Sequence, residues 1–223
     1  MADLIGGLST LLSAFASMDS FEIAEAMGHP AAYVLGAVVV LGGGLLLMFL
    51  LRAVPFLDRN IERYVLVATY LTIAAVIFVE VIRRFVFSVQ APWSTTLPPF
   101  LFLIMTWFGC TYNVKLRTHL AFAELRTNLP RFGQFLCLCL DAALWLIFSL
   151  IVIVTTVKQT ANSASNFQIL LGTDDVMQWW FYVGVPIAWL LLCARVMHNF
   201  FEDLANYRNG EPLIASNAIK GDA

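Results

Sequence analysis

The chain has 223 residues, 60% of them hydrophobic and only 13% charged, with a mean hydropathy of +0.80 and a formal net charge of -2. That composition excludes an ordinary soluble domain and reads as an all-α integral membrane protein. A nucleic-acid surface is excluded too, because the Lys and Arg residues border apolar runs and form no basic stripe.

Crossing a hydrocarbon core about 30 Å thick takes roughly 20 helical residues. Five segments meet or approach that length, at residues 31–51, 64–82, 97–114, 135–157 and 178–200. Backbone amides facing lipid must be paired within their own segment, so five transmembrane helices are predicted.

Residues 1–30 form an amphipathic segment ahead of the first span. Ile5, Leu8, Leu12 and Phe15 recur at three- and four-residue intervals and predict a short helix resting on the outer leaflet, followed by acidic Asp19, Glu22 and Glu25. No Lys or Arg occurs in residues 1–17, so the charged start of a cleavable signal is not expected. Pro30 opens the first span, where its missing N–H costs nothing. Ala32, Gly36 and the run Gly42, Gly43, Gly44 give that span a small-residue face for close packing on another helix, of this chain or of a separate subunit.

The link at 52–63 contains Pro55 and predicts a helical hairpin in which Asp58, Arg59, Glu62 and Arg63 pair locally. In the second span Glu80 precedes Arg83 and Arg84 by three and four residues, which predicts an ion pair on one helix face. Between Lys115 and Pro130, Phe122, Leu125 and Leu129 share one helical face, while Arg117, Glu124, Thr127 and Asn128 lie mostly opposite. An amphipathic helix on the inner leaflet is expected there, its basic flanks toward lipid headgroups. Asp141, near the start of the fourth span, has no basic residue within one turn, so it must find a partner elsewhere, reach headgroups or protonate.

The polar loop at 158–177 ends in Asp174 and Asp175, placed to cap the next helix, ahead of the interfacial pair Trp179 and Trp180. Pro186 predicts a kink in the last span, and a cytoplasmic tail follows at 201–223. Ten of the thirteen basic residues fall on one side, leaving Arg83, Arg84 and Lys158 on the other. This bias predicts a periplasmic N-terminus and a cytoplasmic C-terminus. Cys110, Cys137, Cys139 and Cys193 lie in apolar spans without a CxxC pair and read as packing residues. His119 and His198, both on the basic side, leave open a haem-binding anchor of a redox complex as the alternative. No paired acids, Ser/His pair or glycine-rich phosphate loop supports an enzyme, and no cofactor is expected.

One spacing pattern goes further. Arg84-Phe85-Val86-Phe87 closes the second span, and Trp93, Gly109 and His119 follow at intervals of nine, sixteen and ten residues. This pattern resembles the small membrane subunit (DctQ type) of the tripartite ATP-independent periplasmic, or TRAP, transporters. The resemblance covers residues 61–200, a four-helix domain, so the span at 31–51 is an addition. It departs at Thr96, where the family has a carboxylate three residues after the Trp.

The resemblance implies a scaffold subunit in a bacterial inner membrane, bound to a large elevator subunit that carries the substrate and sodium sites. It further implies a periplasmic substrate-binding protein and sodium-coupled uptake of small organic acids. Arg84, Phe87, Trp93, Gly109 and His119, with Glu80 and Asp141, are the candidate contact residues.

Overall fold

A computed structural model describes residues 2–118, 126 and 128–213. The short helices α1 (Ala2–Ser17) and α2 (Ser20–Ala26) come first. Asp19 caps α2 by accepting the Phe21 N–H at 2.8 Å. Five helices long and apolar enough to cross a membrane follow: α3 (Ala31–Ala53), α4 (Pro55–Val86), α5 (Trp93–Leu116), α6 (Arg131–Ser165) and α7 (Trp179–Asn209).

Each helix reaches past the end of its predicted apolar run, and α4 does so most. Pro55 is accepted in its first turn, so α4 starts well before residue 64, and Val54 alone separates it from α3. The expected 52–63 link is therefore a corner followed by helix. From Arg63 to Arg83 the helix rises about 30 Å, which sets its two charged ends at the two faces of a bilayer core.

The axis of the bundle is α7, which packs against α6, α5 and α3. More than half of its apolar window is buried, 56%, whereas none of the α4 window is. Trp189 fills the centre at 1% exposure. Its ring lies 5.1 Å from Trp107, 5.2 Å from Phe148 and 6.4 Å from Trp145, so three helices meet on aromatic faces and edges. The expected kink is present as a break at Val183, three residues before Pro186.

The glycine face of α3 is satisfied within the chain. A Cβ on Gly36 would lie 2.6 Å from Val154 of α6, and one on Gly44 would lie 3.1 Å from the Cβ of Cys193 of α7. Between them sits a wide π turn, Val39–Gly43. The predicted stripe of α1 divides: Leu8 joins Leu11 and Ala14 against the bundle, while Ile5, Leu12 and Phe15 stay exposed. An apolar exposed face of this kind suits lipid.

Gly44→Val is expected to force α3 away from α7 and destabilise the detergent-solubilised chain by about 1–3 kcal/mol, the usual cost of overpacking. Gly42→Val serves as the control, since a Cβ there meets nothing within 4 Å. Thermal unfolding of the two variants checks this.

Candidate functional site

Four charges meet at the basic end of the bundle. Asp58 and Glu62 stand four apart on α4, so both carboxylates leave the same helix face. Glu62 is fully buried, and Arg195, deep in α7, is 4% exposed. The Arg195 guanidinium donates through Nε to Glu62 Oε1 at 2.6 Å, through one terminal nitrogen to the Asp58 carboxylate, and through the other to the Asp58 carbonyl at 2.8 Å. Lys115, at the end of α5, pairs with Glu62 Oε2 at 2.9 Å and donates to the carbonyls of Asp58 and Arg59. Two acids and two bases balance, and each oxygen of the buried Glu62 carboxylate has a donor. The expected local pairing of Asp58 and Glu62 with Arg59 and Arg63 is thus corrected: the acids turn inward to cations from distant parts of the chain.

Further ties surround this clasp. Arg117 ends α5 in a left-handed conformation (φ 55°) and reaches Asp203 at 2.6 Å, Glu202 at 3.1 Å and the Asn199 carbonyl at 3.1 Å on α7. Arg131 donates to the carbonyls of Asn206, Tyr207, Gly210 and Glu211, covering the end of α7. Asp141 finds its partner in Arg126 at 2.6 Å, from the link before its own helix. Arg52 at the end of α3 approaches Nδ1 of His198 at 3.2 Å. Because guanidinium only donates, Nδ1 is the acceptor and the proton sits on Nε2. His119, with most of the expected inner-leaflet helix, lies outside the described residues.

At the far end Glu80 makes no ion pair with Arg83 or Arg84 among the described residues. Its carboxylate turns back to accept the Ala91 N–H at 3.2 and 3.4 Å, fixing the chain between α4 and α5. This corrects the expected i+3 and i+4 pairing; the loop amide needs an acceptor, whereas the arginines stay at the helix end. Thr96 donates to the Leu171 carbonyl at 2.7 Å and so ties α5 to the loop before α7. In that loop Gly172 has φ +82°, and a Cβ would lie 2.5 Å from the Pro92 carbonyl carbon and 2.6 Å from the Trp93 nitrogen. Only glycine permits both the turn and this approach, which seats the start of α5.

The pattern residues are therefore strung along the molecule and form no single cluster. Arg84 and Phe87 are exposed at the end of α4, and Trp93 is half-buried at the start of α5. Gly109 faces Leu66 of α4, where a Cβ would be in ordinary contact at 3.6 Å. In the sequence Arg195 counts only among the ten basic residues of one side, so the charge bias alone does not disclose the clasp. The position of Arg195 within the apolar run 185–197, opposite an acid pair four residues apart, was the available signal.

Thr95, Pro99, Phe102, Thr106 and Asn113 form an exposed stripe along α5, with Gly109 at its edge. This span has the lowest mean hydropathy of the five, 1.2 against 2.5 for α4, yet only 17% of its window is buried. One exposed stripe of α4 is Val67, Tyr70, Ala74, Phe78, Val81 and Phe85, large and apolar almost throughout, while Ala68, Thr72 and Ala75 are exposed beside it.

A multi-pass helical bundle, clasped by ion pairs at one end and showing a weakly apolar span on its outside, defines a membrane subunit built to be joined to something else. Residues 73–206 match the family described as Tripartite ATP-independent periplasmic transporters, DctQ component, and the chain belongs to that family. It is the small membrane subunit of a TRAP transporter, a transport component. The redox-anchor alternative finds no support in this match. No curated protein matches the chain.

Arg195→Met, which leaves Glu62 buried with Lys115 as its one remaining cation and takes the cation from Asp58, is expected to cost up to about 3–5 kcal/mol. Adding Glu62→Gln should recover part of that loss, and a double-mutant cycle on unfolding in detergent measures the coupling. Glu80→Leu should speed hydrogen exchange at the Ala91 amide by about tenfold, consistent with losing a hydrogen bond to a charged group. Glu80→Gln keeps an acceptor oxygen and should change that rate far less.

Proposed function

We propose that this chain is the rigid scaffold of a sodium-coupled transporter that takes up small organic acids across the inner membrane. Its N-terminus is periplasmic and its basic end cytoplasmic. A large elevator subunit carries the substrate and sodium sites, and this chain widens the static part against which the elevator moves. The periplasmic substrate-binding protein docks partly on the outer loops, where Phe167, Leu171, Asp174 and Asp175 are exposed. Membership of the TRAP family supports the partnership, and the excess of basic residues at one end supports the orientation.

The observation that carries the scaffold reading is the exposed stripe of α5. Lipid tails reward large apolar side chains, as on α4, and offer nothing to Thr, Gly or Asn. Small and polar residues in a bilayer are instead favourable where another helix packs closely and supplies hydrogen bonds. The stripe from Thr95 to Asn113 is accordingly the face for the large subunit. Arg84, Phe87 and Trp93 border it at the outer end, and Asp141 acts through its pairing with Arg126 to hold the basic end in shape.

The test is purification of the tagged chain in mild detergent with its partners. A large multispanning subunit should co-purify, and Thr106→Trp should lower its recovery by about tenfold. Ala74→Leu, a change on the α4 stripe, should leave recovery unchanged. Absence of any such partner would overturn the proposal, and equal loss from both substitutions would move the docking face.

A further inference from the structure

The inward turn of Asp58 and Glu62 has a consequence on the neighbouring, outward face of the same helix. Arg59 and Arg63 also stand four apart, and both are exposed. The acids that the sequence places beside them are committed to Arg195 and Lys115. Among the described residues neither guanidinium has an acid partner. Two like charges one turn apart on a helix repel, and among the described residues this face holds no counter-anion.

The surroundings restrict what that anion is. Arg59 and Arg63 lie on one stripe with Phe56, Val67 and Tyr70, at intervals of three or four residues, and all three neighbours are exposed. Phe56 and Tyr64 lean together beside the pair, with ring centroids 5.9 Å apart. Aromatic rings and arginines at the end of an apolar span mark the headgroup level. From there the stripe continues into the bilayer through Ala74, Phe78 and Val81. It thus offers cations at headgroup depth and an apolar track below them, the two halves of a phospholipid.

We propose that Arg59 and Arg63 form a binding site for an anionic phospholipid in the leaflet at the basic end, with its acyl chains along Val67 and Tyr70. Guanidinium suits this role because its planar fork binds phosphate oxygens in pairs and stays charged at any working pH. The site is separate from the docking stripe of α5. It holds lipid on the helix that the rest of the bundle covers least, and it neutralises the face that the clasp leaves bare.

The experiment uses the full chain in nanodiscs of phosphatidylcholine containing a minor fraction of phosphatidylglycerol, with retained lipid read by native mass spectrometry. The wild-type chain should retain phosphatidylglycerol preferentially. R59Q and R63Q should each lower that preference about fivefold, equivalent to about 1 kcal/mol per basic residue at an anionic surface. The double variant R59Q/R63Q should abolish most of it, while R59K/R63K keeps the greater part. Raising the salt concentration should weaken the wild-type preference.

Unfolding temperatures in neutral detergent should be alike for all variants, since the Glu62–Arg195 pair is untouched; the single variants keep the question answerable if the double one fails to fold. The proposal is overturned if R59Q/R63Q retains phosphatidylglycerol as the wild type does. It is also overturned if millimolar inorganic phosphate alone removes the lipid preference, which would make this a site for free anions. Loss of the preference when the large subunit is bound, with the arginines paired to an acidic segment of that subunit, would likewise replace lipid by protein.

Discussion

The arrangement depends on one buried cation. Arg195 sits on the most enclosed helix, and taking a guanidinium out of water is tolerated only where its donors all find acceptors. Glu62, Asp58 and the Asp58 carbonyl supply them, which obliges α4 to bring its first turns against α7. Lys115 adds α5 to the same knot. Helices in lipid gain little from apolar contact alone, since the tails are as apolar as Leu. Charges that must meet are therefore a strong means of choosing which helices are neighbours and in what register.

That choice explains how α4 is held. No part of its apolar window is buried, and α5 is its principal packing partner along the membrane. Polar bonds secure its two ends: the clasp at one, and Glu80 on the Ala91 amide at the other. The middle is left to lipid and to ordinary contacts such as Leu66 with Gly109. A long helix pinned at its ends behaves as a strut, as the proposed scaffold role requires.

Much of the fold was legible in the sequence because hydrocarbon thickness acts on every span alike. Five helices, the break near Pro186 and the close packing of the α3 glycines all follow from length, proline chemistry and residue size. Side-chain pairing was less accessible. Glu80 beside Arg83 and Arg84, or Glu62 beside Arg59 and Arg63, looks like a local ion pair, yet sequence proximity says nothing of competing acceptors and donors brought in by the fold. A loop amide won Glu80, and Arg195, 133 residues away, won Glu62. Asp141 is the reverse case, where the absence of a near partner left a distant partner, the headgroups or protonation open, and the fold supplies a partner in Arg126.

Helix α3 lies outside the family match and has a structural part of its own. The family match begins at residue 73, within α4, and so leaves out α1 to α3 together with Asp58 and Glu62. Those unmatched parts act on the matched ones: Gly43 and Gly44 pack α3 onto α7, Gly36 packs it onto α6, and the two acids receive Arg195. A well-covered α7 can bury a charged side chain that a lipid-facing helix would have to expose. Helix α3 packs on α6 and α7, and the weakly apolar stripe of α5 stays exposed. Helix α3 therefore braces the bundle without covering the face through which the proposed partner would join it.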